Sequence, residues 1–92
     1  MAKVLIPTAL RAFTDGSSEV EGAGKTAGEV ITAVTESYPE IQKHLFDEEG
    51  KLRSYVNVFI GDENIRNLGG LDAPVHEGDV VTLVPAIAGG RP

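Results

Sequence analysis

The sequence predicts an α+β fold, with a half-open mixed sheet of four to five strands and one main helix packed on one face. Three observations carry this expectation. Apolar, β-branched runs stand near both ends, at residues 3–8 and 80–85. The clearest strand pattern, residues 52–60, lies between them and alternates faces. Only one amphipathic helix is visible, over residues 26–38, and one helix cannot cover both faces of a sheet. With 92 residues there is room for a single core.

Residues 3–8 (Lys-Val-Leu-Ile-Pro-Thr) form the first expected strand, limited by Pro7, which donates no ladder hydrogen bond. Thr14-Asp15-Gly16 is a turn signature, and residues 17–22 return as a weak second strand. Thr26-Ala27-Gly28-Glu29 is a capping box. Ala27, Val30, Ile31, Val34 and Tyr38 then fall on one helical face, with Glu29, Thr32, Thr35 and Glu36 outside it. Pro39 ends the helix. A short turn over 39–46 packs Ile41, Leu45 and Phe46.

In the 52–60 strand, Val56, Val58 and Ile60 make the better core face, and Tyr55, Asn57 and Phe59 point the other way. Gly61-Asp62 turns into a short strand near residues 64–66, and 80–85 is the last strand. The expected core also takes Val4 or Leu5, Val30, Val34, Val81 and Leu83. Parallel pairing of the first and last strands needs a long crossover, which the helix supplies. That order is the β-grasp, or ubiquitin-like, arrangement. Residues 1–85 make the domain and residues 86–92 a flexible tail carrying Gly89-Gly90.

Composition narrows the function. The chain is 41% hydrophobic and 24% charged, as expected of a soluble globular protein. Eight basic against 14 acidic residues give a net charge of −6, which disfavours nucleic acid as a partner. Cysteine is absent, so there is no disulfide, thiolate metal site or thiol nucleophile. Val4-Leu5-Ile6 is cut short by Pro7, well under the roughly 7–15 apolar residues of a signal-peptide core. No run approaches the ~18 residues of a membrane span. A cytoplasmic protein, monomeric when free, is expected.

Side-chain chemistry is sparse. Gly24-Lys25-Thr26 looks like the end of a phosphate loop, but Glu19 stands where the first glycine is required. His44 and His76 lack metal-ligand spacing. Asp47-Glu48-Glu49 reads as a solvated loop, without the spaced ligands of a calcium site. Ser17, Ser18 and Ser37 have no nucleophile-elbow context. The residues predict no enzyme, no bound cofactor and no metal.

The terminal segment differs in kind. Ala86, Ile87, Ala88, Gly89 and Gly90 are small apart from Ile87, and five extended residues reach about 17 Å. Such a tail can thread a narrow channel in a partner enzyme. A terminal Gly90 carboxylate would be unhindered, but it must be activated before any nucleophile attacks it. Sulfide attack would give a thiocarboxylate, and amine attack an isopeptide bond.

The chain resembles the ubiquitin-like sulfur carrier proteins, the group of the molybdopterin synthase small subunit and the thiamine sulfur carrier. It is most similar to members serving cysteine biosynthesis. The resemblance rests on Ile6-Pro7-Thr8 with Leu10-Arg11, Val56-Asn57-Val58 followed by Asp62-Glu63 and Arg66, Gly69-Gly70-Leu71, and Val84 through Gly90. It implies that a ubiquitin-activating-type adenylyltransferase/sulfurtransferase uses ATP to activate Gly90, which then becomes a thiocarboxylate. It also implies a pyridoxal-phosphate-dependent cysteine synthase as acceptor, with homocysteine or thiosugar synthesis as alternatives, and a JAMM-type zinc metalloprotease. Arg91-Pro92 follows the diglycine, so cleavage between Gly90 and Arg91 is expected before activation.

Strand parity places Tyr55, Asn57, Phe59, Thr82 and Val84 on the open face, as the expected docking surface. The acidic net charge would suit a partner with a basic rim. Two other readings stand beside the carrier: a modifier conjugated to lysines through Gly90, and a non-reactive β-grasp binding module.

Overall fold

Where the helix starts is decided by its cap, and where the chain returns is decided by strand parity. The computed structural model describes residues 2–53 and 55–85. Its elements are β1 (Ala2–Leu5), β2 (Glu19–Gly22), α1 (Ala27–Ser37), α2 (Gln42–Leu45), β3 (Val56–Ile60), β4 (Glu63–Asn64) and β5 (Val80–Pro85). Short 3₁₀ segments occupy Thr8–Thr14, Pro39–Ile41, Ile65–Asn67 and Gly70–Asp72.

Thr26 caps α1, its Oγ1 accepting the Glu29 N–H at 3.2 Å. The Glu29 carboxylate reaches back to the Lys25 N–H at 2.8 Å, one residue earlier than a capping box places it. Ala27, Val30, Ile31 and Val34 are fully buried. Thr35, expected outside that stripe, is also buried, and its hydroxyl is satisfied by donating to the Thr32 carbonyl at 2.8 Å. Close approach of β2 to α1 requires Gly22, where a Cβ would lie 2.8 Å from the Val30 carbonyl oxygen.

The strand order is β2-β1-β5-β3-β4. β1 and β5 run parallel, Val4 beside Val81, and the other pairs are antiparallel. The sheet is therefore mixed and five-stranded, with β5 at its centre. Val4, Val56, Val58, Val81 and Leu83 face α1 and are buried. The choice between Val4 and Leu5 falls to Val4, with Leu5 only half-buried.

Several boundaries differ from the sequence reading. β1 ends at Leu5 because Pro7 cannot donate to a ladder, and Thr8–Thr14 then coils to turn Leu10 and Thr14 inward. β2 is confined to Glu19–Gly22. β3 begins at Val56, whose N–H closes a turn onto the Arg53 carbonyl at 3.0 Å, while Leu52 bridges to Phe46. Ile60 beside the Gly61 turn is half-buried. β4 stops at Asn64, because the Asn64 Oδ1 accepts the Arg66 N–H at 2.9 Å and starts a 3₁₀ turn. Among the described residues, no helix is long and apolar enough to cross a membrane.

Two stability outcomes follow from cap and parity. Thr26→Ala should cost about 1 kcal/mol. In thermal unfolding that corresponds to a loss of roughly 4–8 °C for a domain of this size. Leu83→Ala should cost about 2–5 kcal/mol. Its neighbour Val84→Ala, on the opposite face, should stay within about 0.5 kcal/mol. Equilibrium urea unfolding checks both, and equal losses at 83 and 84 would contradict the register.

Candidate functional site

The face of the sheet away from α1 is built by register. Leu5 of β1 stands beside Thr82 of β5, Thr82 beside Phe59 of β3, and Phe59 beside Asn64 of β4. One step along, Asn57 stands beside Val84. The structure thus brings together Asn57, Phe59, Thr82 and Val84. Tyr55 sits at their border, in the turn before β3. Val84 and Tyr55 are exposed, at 41% and 38%, unusual for large apolar side chains. Phe59, Asn57 and Thr82 are half-buried. Phe59 is not part of the core packed on α1 but lies in the open-face row. The Asn64 Nδ2 donates to the Asn57 Oδ1 at 3.4 Å, tying the polar edge of this face together.

The tail begins where this face ends. Pro85, the last residue of β5, pairs with Val56. Ala86, Ile87, Ala88, Gly89, Gly90 and Arg91, named above as the threading and processing segment, lie outside the described residues.

Other candidate groups have local roles. At Gly24-Lys25-Thr26 the Lys25 amide is taken by the Glu29 carboxylate, so the chain's own anion fills the place a phosphate would need. The His44 ring stacks on Phe13 with centroids 4.1 Å apart, its Nε2 buried without a hydrogen-bond partner. His76 is exposed, its backbone N–H donating to Asp79 Oδ2 at 2.8 Å. Among the described residues, no group of three or more His, Asp or Glu converges to hold a metal. The Asp47 Oδ1 accepts the amides of Glu49 and Lys51 at 2.9 and 3.0 Å, which organises the 47–51 turn.

Sequence reasoning missed two kinds of residue here. Leu5 joins the open face, and only register shows it. Arg11 and Arg53 each fix a guanidinium on a main-chain carbonyl, through Nε to Ile6 at 3.0 Å and to Lys43 at 2.8 Å. No local pattern announces either contact, because the acceptor is a backbone oxygen.

Parallel terminal strands joined through one capped helix, with the central last strand leading into a diglycine tail, define a ubiquitin-like β-grasp protein. The chain belongs to the ThiS family, whose model matches residues 4–90. It is 43% identical over 89 residues to the sulfur carrier protein CysO of Mycobacterium tuberculosis, covering 95% of this chain and 96% of that one. A chain of the Amycolatopsis orientalis BexX/CysO crystal structure superposes with a TM-score of 0.89 at 43% identity, over 98% of this chain and all of that one. The small archaeal modifier protein 1 of Methanosarcina acetivorans is similar at a TM-score of 0.84 and 28% identity, over 97% and 95% of the two chains.

The Asp47 turn makes a pH prediction. The hydrogen bond from the Lys51 amide is the largest influence; it outweighs an opposing desolvation and, with the Glu49 amide and the charges of Arg53 and Lys51, holds the Asp47 carboxyl below the ordinary range. A lowered folded pKa stabilises the fold above the unfolded value, and that contribution is lost as pH falls through the folded value. Asp47→Asn should therefore be less stable than wild type at neutral pH. The gap should shrink on acidification to about pH 3. Urea unfolding at both pH values checks this, and a constant gap would contradict it.

Proposed function

We propose that this chain is a sulfur carrier whose working atom is the Gly90 carbonyl carbon. The observation that carries the reading is the root of the tail. β5 is held between β1 and β3, ends at Pro85 beside an apolar open face, and leads into a segment that the family match follows to Gly90. The partner grips the face formed by Tyr55, Asn57, Phe59, Thr82 and Val84, and takes Ala86 through Gly90 into its own active site.

The chemistry requires no side-chain nucleophile here. A metalloprotease of the JAMM type first hydrolyses the Gly90–Arg91 bond. The freed Gly90 carboxylate attacks the α-phosphorus of ATP on a ubiquitin-activating-type adenylyltransferase, and pyrophosphate leaves. Sulfide delivered by that enzyme or a sulfur donor attacks the acyl carbon, and AMP leaves. The thiocarboxylate sulfur then bonds to the β-carbon of an activated serine, such as O-phosphoserine, on a pyridoxal-phosphate-dependent cysteine synthase, and phosphate leaves. An S-to-N acyl shift places cysteine in amide linkage to Gly90, and hydrolysis by the metalloprotease releases it. Likeness to sulfur carrier proteins and to a CysO crystallised with BexX supports the carrier role on which this scheme is built.

A second reading, conjugation of Gly90 to lysines of other proteins, is favoured by the likeness to small archaeal modifier protein 1. The two share adenylation and part at the nucleophile. The test uses protein ending at Gly90, incubated with the host adenylyltransferase, ATP and sulfide, then weighed intact. An oxygen-to-sulfur mass gain is expected. High-mass adducts in host extract would favour the modifier, and an unmodified chain in both would sink the activation reading. Val84→Asp should slow thiocarboxylation at least tenfold with unchanged unfolding, since it puts a charge into the apolar contact.

A further inference from the structure

We propose that the end of the sheet from which the tail leaves is an arginine-bearing collar that accepts carboxylates on the rim of the tail-receiving partner. This rests on the reading above that the tail enters a partner, and it reverses the polarity expected from net charge. β1 is parallel to β5, so Thr8–Thr14, carrying Arg11, follows at the end where β5 finishes. β3 is antiparallel to β5, so Arg53 and Tyr55 precede it at that same end. β4 is antiparallel to β3 and so runs with β5, which sends Arg66 the same way. Arg53 and Arg66 line one small cleft. All three arginines among the described residues therefore lie toward the end of the sheet where β5 finishes, the end that also carries exposed Tyr55 and Val84.

The bonding of Arg11 and Arg53 shows what these two lack. Arg11 and Arg53 are both half-buried and held through Nε on a main-chain carbonyl, which fixes each plane and leaves its Nη groups to meet a partner. Among the described residues neither has a carboxylate within 4.0 Å, although the chain carries 14 acidic residues. Lys3, Lys43 and Lys51 do have one, with Glu19, Glu40 and Glu49. Arg53 shares a surface cleft with Asp47, Glu48 and Glu49 and helps lower the Asp47 carboxyl, yet makes no contact pair with any of the three. A preorganised guanidinium fork matches a carboxylate with two parallel hydrogen bonds. Covering it with a neutral or basic surface would strip its water without replacement. Tyr and Arg around an apolar centre is the composition of an interface hot spot.

The sign of the effect is the test. Thiocarboxylation of protein ending at Gly90 is followed with the host adenylyltransferase, ATP and sulfide. R11E/R53E should raise KM at least tenfold with kcat within threefold, whereas R11K/R53K, which keeps the charge but loses the fork, should raise KM clearly less than R11E/R53E. K25E, at the opposite end beside the start of α1, should leave KM unchanged. A fall in KM for R11E/R53E would mean a basic rim and overturn the proposal, and so would an unchanged KM. If R11K/R53K is impaired as badly as R11E/R53E, the arginines only hold the fold and the proposal also fails. A wild-type chain that is never activated removes the carrier reading itself, and this inference with it.

Discussion

The parallel pairing of β1 with β5 is the constraint on which the rest depends. Two strands near opposite ends of the chain lie side by side, Lys3 against Val80 and Leu5 against Thr82. Parallel neighbours cannot be joined by a tight turn, so everything between them must form a crossover that returns to the same end. α1 begins that return, its cap fixing the entry and its buried stripe covering Val4, Val81 and Leu83. β3 then pairs on the other side of β5, which leaves the last strand flanked on both edges. A tail that leaves a strand held on both sides is anchored at its root whatever it does beyond it. This suits the proposed delivery of the tail to another protein.

With one principal helix, the sheet can bury only one face, and the other is where apolar side chains lack a partner within the chain. The row from Leu5 to Asn64 and the pair Asn57–Val84 are products of register, not of local sequence. Placing Val84 and Tyr55 in water lowers solubility slightly and gives nothing to the fold. Their exposure is physically sensible if another surface covers them. The β-grasp frame thus separates two sets of residues: inward ones hold the fold, and outward ones are left free for the partner contact proposed above.

Charge adds a second layer. The acidic excess is spread over loops and helix surfaces, where it is screened and weakly paired. The arginines are few and concentrated at one end by topology. Net charge governs approach from a distance, but contact is decided by the groups at the interface. In a chain of net charge −6, arginines at a contact surface can therefore outweigh the overall sign.

The capped helix, the apolar terminal strands, the inward parity of Val56, Val58, Val81 and Leu83, and the small-residue tail were all legible in the amino-acid order. Each of these is written in spacing within a few residues, because caps and side-chain alternation are local properties. The Val84–Gly90 motif and its neighbours also made the family legible. The outward face of Leu5, the burial of Thr35 and the placement of Arg11, Arg53 and Arg66 toward one end of the sheet came only with the assembled fold. The strand ends belonged to it as well, since the turn at Arg53–Val56 and the cap at Asn64 compete with ladder pairing. These features depend on which strand lies beside which, and strand neighbours far apart in the chain leave no local pattern to read.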